Sequence, residues 1–202
     1  MKQWVYIVCV VWSLSVNAAA LIEGKDYVVV APASAVKQGK PSVTEFFNYG
    51  CPACAHLEGS LEPWVKAHQT TLDFKRVPVI FHPEWVMYAK AYYIADALGI
   101  AHKATPLLFK AIQKDNQPLI EPKEMAAFFA KNLGVEPDVA DSAFTHLSRA
   151  DVQMNDGMAQ AAKWSVTAIP AFVVNGRYKT DLSLAKTPEH LFEILDGLSR
   201  LK

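Results

Sequence analysis

Residues 44–59 read TEFFNYGCPACAHLEG and hold two cysteines, Cys51 and Cys54, between an apolar strand and a helical pattern. From Cys51 onward, apolar residues recur at spacings of three and four, which predicts a helix that begins at the first cysteine. A sulfur at that position lies near free backbone N–H groups and the positive end of the helix dipole, and both stabilise a thiolate. The stretch therefore predicts Cys51 as the nucleophilic thiolate and Cys54, one turn later, as the resolving thiol.

Three kinds of site use such a cysteine pair: a metal-binding site, a structural disulfide and a redox-active disulfide. A zinc site needs four protein ligands, or three and a water, whereas the chain offers this one pair and six histidines without a paired spacing. Covalent haem attachment needs a histidine directly after the second cysteine, and Ala55 stands there. A disulfide that closes so short a loop adds little stability. We therefore predict a redox-active disulfide between Cys51 and Cys54, with no metal and no other cofactor.

The N-terminus has the pattern of a secretory signal peptide. Lys2 precedes the apolar run Trp4–Val16, and the alanines 18–20 follow it. We predict residues 1–20 as a signal peptide that is cleaved after Ala20. A retained membrane anchor is the alternative, although a spanning helix needs about 20 apolar residues. Export would carry the cysteine pair into an oxidising compartment, where disulfides persist.

The composition of the chain fits a globular protein and argues against nucleic acid as a partner. The chain has 202 residues, of which 51% are hydrophobic, and this suits one compact domain or a core domain with an insertion. Twenty basic and twenty acidic residues cancel, and the sequence contains no run of lysine and arginine. No field of one sign would therefore draw a polyanion to the surface.

The periodicity of apolar residues gives the order strand, cysteine-bearing helix, strand, helical block, hairpin, helix. Asn175 and Gly176 form the type I′ turn signal of the hairpin. The predicted strands cover residues 27–30, 43–47, 72–81, 169–174 and 177–182, and the predicted helices cover residues 51–68, pieces of 84–164, and 188–201.

This order resembles the thioredoxin arrangement, in which a βαβ unit is followed by a ββα unit. We predict an α/β protein with a thioredoxin fold, a central mixed sheet flanked by helices, and an inserted all-helical domain. The thioredoxin-like domain is expected at residues 21–82 and 158–202, and the inserted domain at residues 83–157.

Three segments make the resemblance more specific. They are TEFFNYGCPAC at residues 44–54, IPAFVVNGRY at residues 169–178 and EGKDY at residues 23–27. Together they resemble the DsbA family of periplasmic disulfide oxidases over nearly the whole chain after residue 20. The resemblance implies a periplasmic protein thiol:disulfide oxidoreductase.

The resemblance also assigns roles to residues around the cysteines. Pro170 is expected in the cis form, facing the cysteine pair, so that Ile169 offers its backbone to a bound client as an added strand; an ordinary trans proline at a strand edge is the alternative. Glu45 is expected beneath the disulfide, where it handles the proton of Cys54, with Lys75 as a candidate charge partner. A solvated strand face is the alternative for both charges.

Client contacts are expected from Pro52, Ala53 and Phe172, the last as part of an apolar groove with Tyr49 and Phe81. The most studied family members carry histidine where this chain has Ala53, and that histidine helps to stabilise the thiolate. If the lost hydrogen bond is worth about 1–2 kcal/mol, the reduction potential falls by roughly 20–45 mV. We therefore expect a weaker oxidant than the strongest members of the family.

The predicted function is to introduce disulfide bonds into exported proteins that carry free thiols. The expected partner for reoxidation is a quinone-linked membrane protein of the DsbB type, and the protein is expected to be a monomer in the periplasm. Two alternatives stay open at this point. One is a reductase or isomerase component with the same fold, and the other is a peptide-binding module in which the disulfide is only structural.

Overall fold

A computed structural model describes residues 20–36, 39–146 and 149–201 of the chain. The predicted signal peptide lies outside the described residues except for Ala20. Within the described part of the chain, no helix has the length and the apolar character needed to cross a membrane.

The described residues form a five-stranded mixed sheet with the strand order β1-β5-β4-β2-β3. Strand β2 pairs in parallel with β3, whereas the pairs β2 with β4, β4 with β5 and β1 with β5 are antiparallel. This topology confirms the predicted mixed sheet. The strands are β1 (Val28–Val29), β2 (Ser42–Phe47), β3 (Asp73–Pro78), β4 (Ala171–Val174) and β5 (Tyr178–Asp181).

Most of the helices lie between β3 and β4, as the sequence predicts. Helix α6 is continuous through residues 157 and 158, so the predicted boundary of the insertion falls inside a helix. A π-helical turn, Lys110–Lys114, extends α3. The α-helices are α1 (Pro52–His68), α2 (Trp85–Ala97), α3 (Ala101–Phe109), α4 (Pro122–Leu133), α5 (Pro137–Thr145), α6 (Arg149–Lys163), α7 (Leu182–Ala185) and α8 (Pro188–Ser199).

The hairpin between β4 and β5 turns at the predicted dipeptide. Asn175 and Gly176 both have positive φ angles, 52° and 65°, which is the combination that a type I′ turn requires. Pro78 ends β3, which lies at the edge of the sheet. An edge is where a strand tolerates a residue without a backbone N–H.

Helices cover both faces of the sheet. On one face, leucines of α1 and α8 pack against Val43 and Phe172. On the other face, Ala161 of α6 packs against Phe46 and Val77. A third apolar cluster contains both cysteines together with side chains of α2, α3 and α4. The cysteine pair therefore lies where the sheet domain meets the helical insertion.

Candidate active site

Cys51 caps the N-terminus of α1 through its sulfur. The residue is in an extended conformation, and its Sγ accepts a hydrogen bond from the backbone N–H of Cys54 at 3.2 Å. Pro52 takes the first helical position, where a missing N–H costs nothing and the fixed φ suits a helix. The sequence CPAC therefore builds a helix start whose free N–H groups point at the first sulfur.

The environments of the two sulfurs push their pKa values in opposite directions. Hydrogen bonds from the Cys54 thiol and from the backbone N–H groups of Cys54 and Ala53 lower the pKa of Cys51. Burial, the neighbouring Cys51 sulfur and the charge of Glu45 raise the pKa of Cys54 well above its usual value. Cys51 is 4% exposed and Cys54 is 1% exposed. The negative charge of the reduced pair therefore resides on Cys51.

The loop before β4 brings Ile169 to the first cysteine. The Cys51 thiol donates to the carbonyl oxygen of Ile169 at 3.6 Å, although the two residues are 118 positions apart. The peptide bond between Ile169 and Pro170 is cis. Ile169 is half-buried, whereas Pro52 and Ala53 are exposed. The fold thus gathers four of the predicted site residues around Cys51: Pro52, Ala53, Ile169 and Pro170.

Two residues predicted for the apolar groove are not on the surface. Phe172 and Tyr49 both have 0% exposure. Phe172 lies in the core beneath α1 and α8, and Tyr49 packs between Phe47 and Phe109. The predictions that these two rings line a groove for clients are wrong, because neither ring reaches solvent. Phe81, in contrast, is 39% exposed.

Glu45 lies in a buried ion cluster that the sequence analysis did not predict. Its Oε2 accepts from Nε of Arg76 at 2.7 Å, and Nη2 of the same guanidinium donates to Oε2 of Glu58 at 2.7 Å. Glu45 is 1% exposed. The parallel pairing of β2 and β3 places Arg76 opposite Glu45. Lys75 is exposed on the other face of the strand, so the candidate pairing with Lys75 is wrong.

The guanidinium of Arg76 donates hydrogen bonds to both buried carboxyl groups of this cluster. Burial is the main cause that raises the pKa of Glu45, and it raises the pKa of Glu58 to about 7, while Arg76 opposes both shifts. The Arg76 guanidinium also lies over the rings of Phe47 and Phe74, at 5.7 and 5.6 Å from their centres. The cluster therefore holds a proton at pH values where an exposed glutamate would have lost it.

This retained proton makes the stability of the protein depend on pH. In the disulfide form, we expect the free energy of unfolding to fall as the pH rises from 4.5 to about 7, because the unfolded chain releases a proton that folded Glu58 keeps. The expected fall is at most about 3 kcal/mol. The variant Glu58→Gln should flatten this slope, as measured by urea unfolding at a series of pH values.

Glu62 provides the matched control for that series. It lies one turn after Glu58 on α1 and is exposed, and its charge is the smallest of the causes that raise the pKa of Glu58, so Glu62→Gln should keep most of the wild-type slope. Other titrating groups are present in all three proteins, and their contributions cancel in the comparison. An unchanged slope in Glu58→Gln would show that Glu58 does not hold the proton.

An aromatic side chain borders the first cysteine on the side of the insertion. A Cβ atom added to Gly50 would lie 2.3 Å from Nε1 of Trp85, so the indole rests directly on the backbone before Cys51. The ring of His82 lies 4.6 Å from the indole ring, and exposed Phe81 stands 6.5 Å away. Gly50 is required here because any side chain would displace the indole.

The structure adds site residues that the sequence analysis did not identify: Arg76, Glu58, Trp85 and Asn48. The side chain of Asn48 accepts from the N–H of Gly50, directly before Cys51. For Glu58 a signal existed, because it lies four residues after Cys54 and therefore on the same face of α1. Among the described residues, no group of three or more His, Cys, Asp or Glu side chains is placed to hold a metal ion.

Comparisons with known proteins agree with this geometry. A family model described as Thioredoxin matches residues 36–196. The thiol:disulfide interchange protein DsbA of Burkholderia cepacia is 35% identical over 184 residues, which cover 90% of this chain and 86% of that protein. The DsbA of Pseudomonas syringae pv. tomato is 34% identical over 190 residues, covering 93% of this chain and 87% of that protein.

Solved structures show the same likeness. The crystal structure of Pseudomonas aeruginosa DsbA has a TM-score of 0.78 and 32% sequence identity, and it covers 87% of this chain and 91% of that one. The crystal structure of the oxidoreductase DsbA from Xylella fastidiosa has a TM-score of 0.77 and 32% identity, with coverage of 89% and 96%. The predicted resemblance and fold class are thereby confirmed.

Proposed function

Because the chain belongs to the DsbA family of thiol:disulfide interchange proteins, we propose that it introduces disulfide bonds into exported proteins through Cys51 and Cys54. The observation that carries this proposal is the asymmetry of the two sulfurs: the pKa of Cys51 is lowered and that of buried Cys54 is raised. A stabilised Cys51 thiolate favours the reduced form of the pair, and a pair that favours its reduced form oxidises other thiols.

The proposed reaction consists of two thiol–disulfide exchanges. A client thiolate attacks Sγ of Cys51 in the disulfide, a client–Cys51 bond forms, and the Cys51–Cys54 bond breaks with its electron pair on Cys54. A second client thiolate then attacks the client sulfur of the mixed disulfide, and Cys51 leaves as a thiolate. The client loses two electrons and two protons, and the cysteine pair gains the two electrons, so no organic cofactor takes part.

The low pKa of Cys51 assists the second exchange, because a thiol with a low pKa leaves faster. The first exchange leaves charge on Cys54, whose pKa is high. In our proposal Glu45 protonates the Cys54 thiolate and takes the proton back when the disulfide reforms. The buried position of Glu45 and its raised pKa support this role, since a raised pKa makes it easier for a carboxyl group to take up a proton and pass it on.

Clients are proposed to bind across the surface formed by Pro52, Ala53 and Ile169, next to the buried Pro170. The Ile169 carbonyl lies within 3.6 Å of the Cys51 sulfur, so a client backbone that pairs with Ile169 would present its own sulfur to Cys51. Recognition through backbone hydrogen bonds suits an enzyme that acts on many sequences, because every client offers the same backbone groups.

The cellular setting is part of the proposal. The protein would act in the periplasm as a monomer, after removal of residues 1–20. A DsbB-type membrane quinone reductase would accept the two electrons and restore the disulfide. The balance of 20 basic and 20 acidic residues and the absence of a run of lysine and arginine support proteins rather than nucleic acid as the partners.

The proposed direction is tested with a peptide that carries two reduced cysteines. Oxidised protein and peptide are mixed in equal amounts, quenched with acid, alkylated and weighed by mass spectrometry. We expect each oxidised peptide to be matched by one reduced Cys51–Cys54 pair. Under the reductase alternative the peptide would stay reduced, and under the binding-module alternative the peptide would bind while both masses stay unchanged.

Residue 53 should adjust the strength of the oxidant. The variant Ala53→His places an imidazole next to the Cys51 sulfur, and a hydrogen bond to the thiolate is worth about 1–2 kcal/mol. We expect the reduction potential to rise by roughly 20–45 mV, measured by equilibration with glutathione. Ala53→Leu, which adds a side chain without a hydrogen-bond donor, serves as the control and should leave the potential unchanged. An unchanged potential in Ala53→His would refute this account of residue 53.

A further inference from the structure

Tyr49, two residues before Cys51, is held by one face of the helical insertion. Its hydroxyl is hydrogen-bonded to Oγ1 of Thr105 at 2.9 Å, its ring packs edge-on against Phe109 with 5.0 Å between ring centres, and its carbonyl oxygen accepts from Nε2 of Gln113 at 2.8 Å. The three partners are spaced four residues apart, which places them on one side of a helix. The insertion therefore contacts this residue at its ring, its hydroxyl and its backbone.

The helix changes its pitch where it supplies the third contact. Residues 110–114 form a π-helical turn, in which the N–H of Asp115 donates to the carbonyl of Lys110 at 3.0 Å. A π-helical turn is rare and occurs frequently at functional sites. Gln113 lies within this turn, and its side chain reaches out of the insertion to the backbone of the sheet domain.

The other side of the same loop is fixed by Asn48. Its Oδ1 accepts from the N–H of Gly50 at 2.9 Å, and its Nδ2 donates to the carbonyl of Val79 at 3.0 Å. The N–H of Cys51 donates to the carbonyl of Asn48 at 3.0 Å. Nδ2 of Asn48 also donates to the carbonyl oxygen of Trp85, in the insertion, at 3.4 Å. The four-residue loop 48–51 is thus held by both domains at Asn48, and by the insertion again at the Tyr49 carbonyl.

We propose that Gln113 is a positioning residue through which the helical insertion sets the place of the Cys51 sulfur at the start of α1. This proposal rests on the proposed thiol–disulfide function and assigns the insertion a part in it. The chain of contacts is short: Gln113 fixes the Tyr49 carbonyl, and only Gly50 separates Tyr49 from the nucleophile. A shift of this loop moves the Cys51 sulfur relative to its hydrogen-bond partners, which include the N–H of Cys54 and the carbonyl of Ile169.

The test is the variant Gln113→Leu, which keeps the bulk of the side chain and removes the donor. We expect the titration of the Cys51 thiolate, followed by its ultraviolet absorbance, to move to higher pH. The rate at which the oxidised protein oxidises a two-cysteine peptide should fall by about threefold to tenfold, because small misplacements of a reacting group are costly. Gln113→Asn keeps an amide on a shorter side chain and should lie between wild type and Gln113→Leu.

Two control variants separate positioning from general stability. Gln117→Leu changes an exposed glutamine just after the same turn and should behave as wild type. Thr105→Val removes the hydrogen bond at the far end of the Tyr49 side chain and should lower the melting temperature while leaving the titration and the rate within about twofold of wild type.

The proposal is overturned if Gln113→Leu and Gln113→Asn both keep the wild-type titration and rate, whatever their melting temperatures. It is also overturned if Thr105→Val reproduces the changes in full, because any loosening of Tyr49 would then suffice. A failure of the proposed function looks different, since the wild-type protein itself would then leave the peptide reduced. The thiolate titration would still report on the position of Cys51 in that case.

Discussion

Replacing Cys51 with serine is expected to abolish disulfide transfer to clients, because the variant has lost the sulfur that forms the mixed disulfide. Cys54 cannot take over this role. Burial raises its pKa well above the usual value, so it supplies little thiolate. The measurement is the oxidation of a reduced two-cysteine peptide by wild type and by Cys51→Ser under identical conditions.

The matched variant Cys54→Ser should behave differently. It retains the Cys51 thiolate and lacks the thiol that resolves mixed disulfides, so incubation with glutathione disulfide should add one glutathione to each molecule. Cys51→Ser should gain none in the same time while it is folded. The intact mass of each variant gives the number of glutathione molecules added. Alkylation in denaturant confirms that the remaining cysteine of each variant is a free thiol that can react once the protein is unfolded. Faster modification of Cys54 than of Cys51 would contradict the assigned roles.

Replacing Arg76 with methionine is expected to lower the free energy of unfolding at neutral pH by about 3–5 kcal/mol, since it leaves two buried carboxyl groups without a cation. That is a large part of the roughly 5–15 kcal/mol that stabilises a typical domain. The loss should shrink at acid pH, where Glu45 and Glu58 are protonated and need no partner. Urea unfolding of the disulfide form at two pH values measures both effects.

The neighbouring lysine is the matched control for this variant. Lys75 is exposed, and Lys75→Met should change the free energy of unfolding by no more than about 0.5 kcal/mol. Adding Glu45→Gln and Glu58→Gln to Arg76→Met should recover much of the loss, because the buried groups are then neutral. If Arg76→Met and Lys75→Met are equally stable, the buried cluster does not contribute as described.

The order of the strands and helices could be predicted from local patterns. The spacing of apolar residues after Cys51 indicates α1, and the dipeptide Asn175-Gly176 fixes the hairpin because it adopts positive φ at both positions. The start of α1 directly after Cys51 follows from the proline at the first helical position. These signals depend only on residues that are close together in the chain, so the sequence alone is sufficient to predict these elements.

The details that the sequence left open depend on which residues face each other across the sheet. All four residues of β4 are buried, so the strand has no alternation to show that Phe172 points into the core. Lys75 and Arg76 are adjacent and chemically similar, and only the register of β3 against β2 places Arg76 opposite Glu45. The burial of Phe172 and the partner of Glu45 both depend on how distant strands pair, and a single sequence does not reveal that pairing.

The clearest test of the central claim is the equilibrium of the wild-type protein with mixtures of reduced and oxidised glutathione. The state of Cys51 and Cys54 is read by alkylation and mass at each ratio. We predict a midpoint in the range of about −120 to −180 mV, which would drive the oxidation of clients whose structural disulfides typically lie below about −300 mV. A midpoint at about −250 mV or lower would contradict the account and assign the same residues to a reductase.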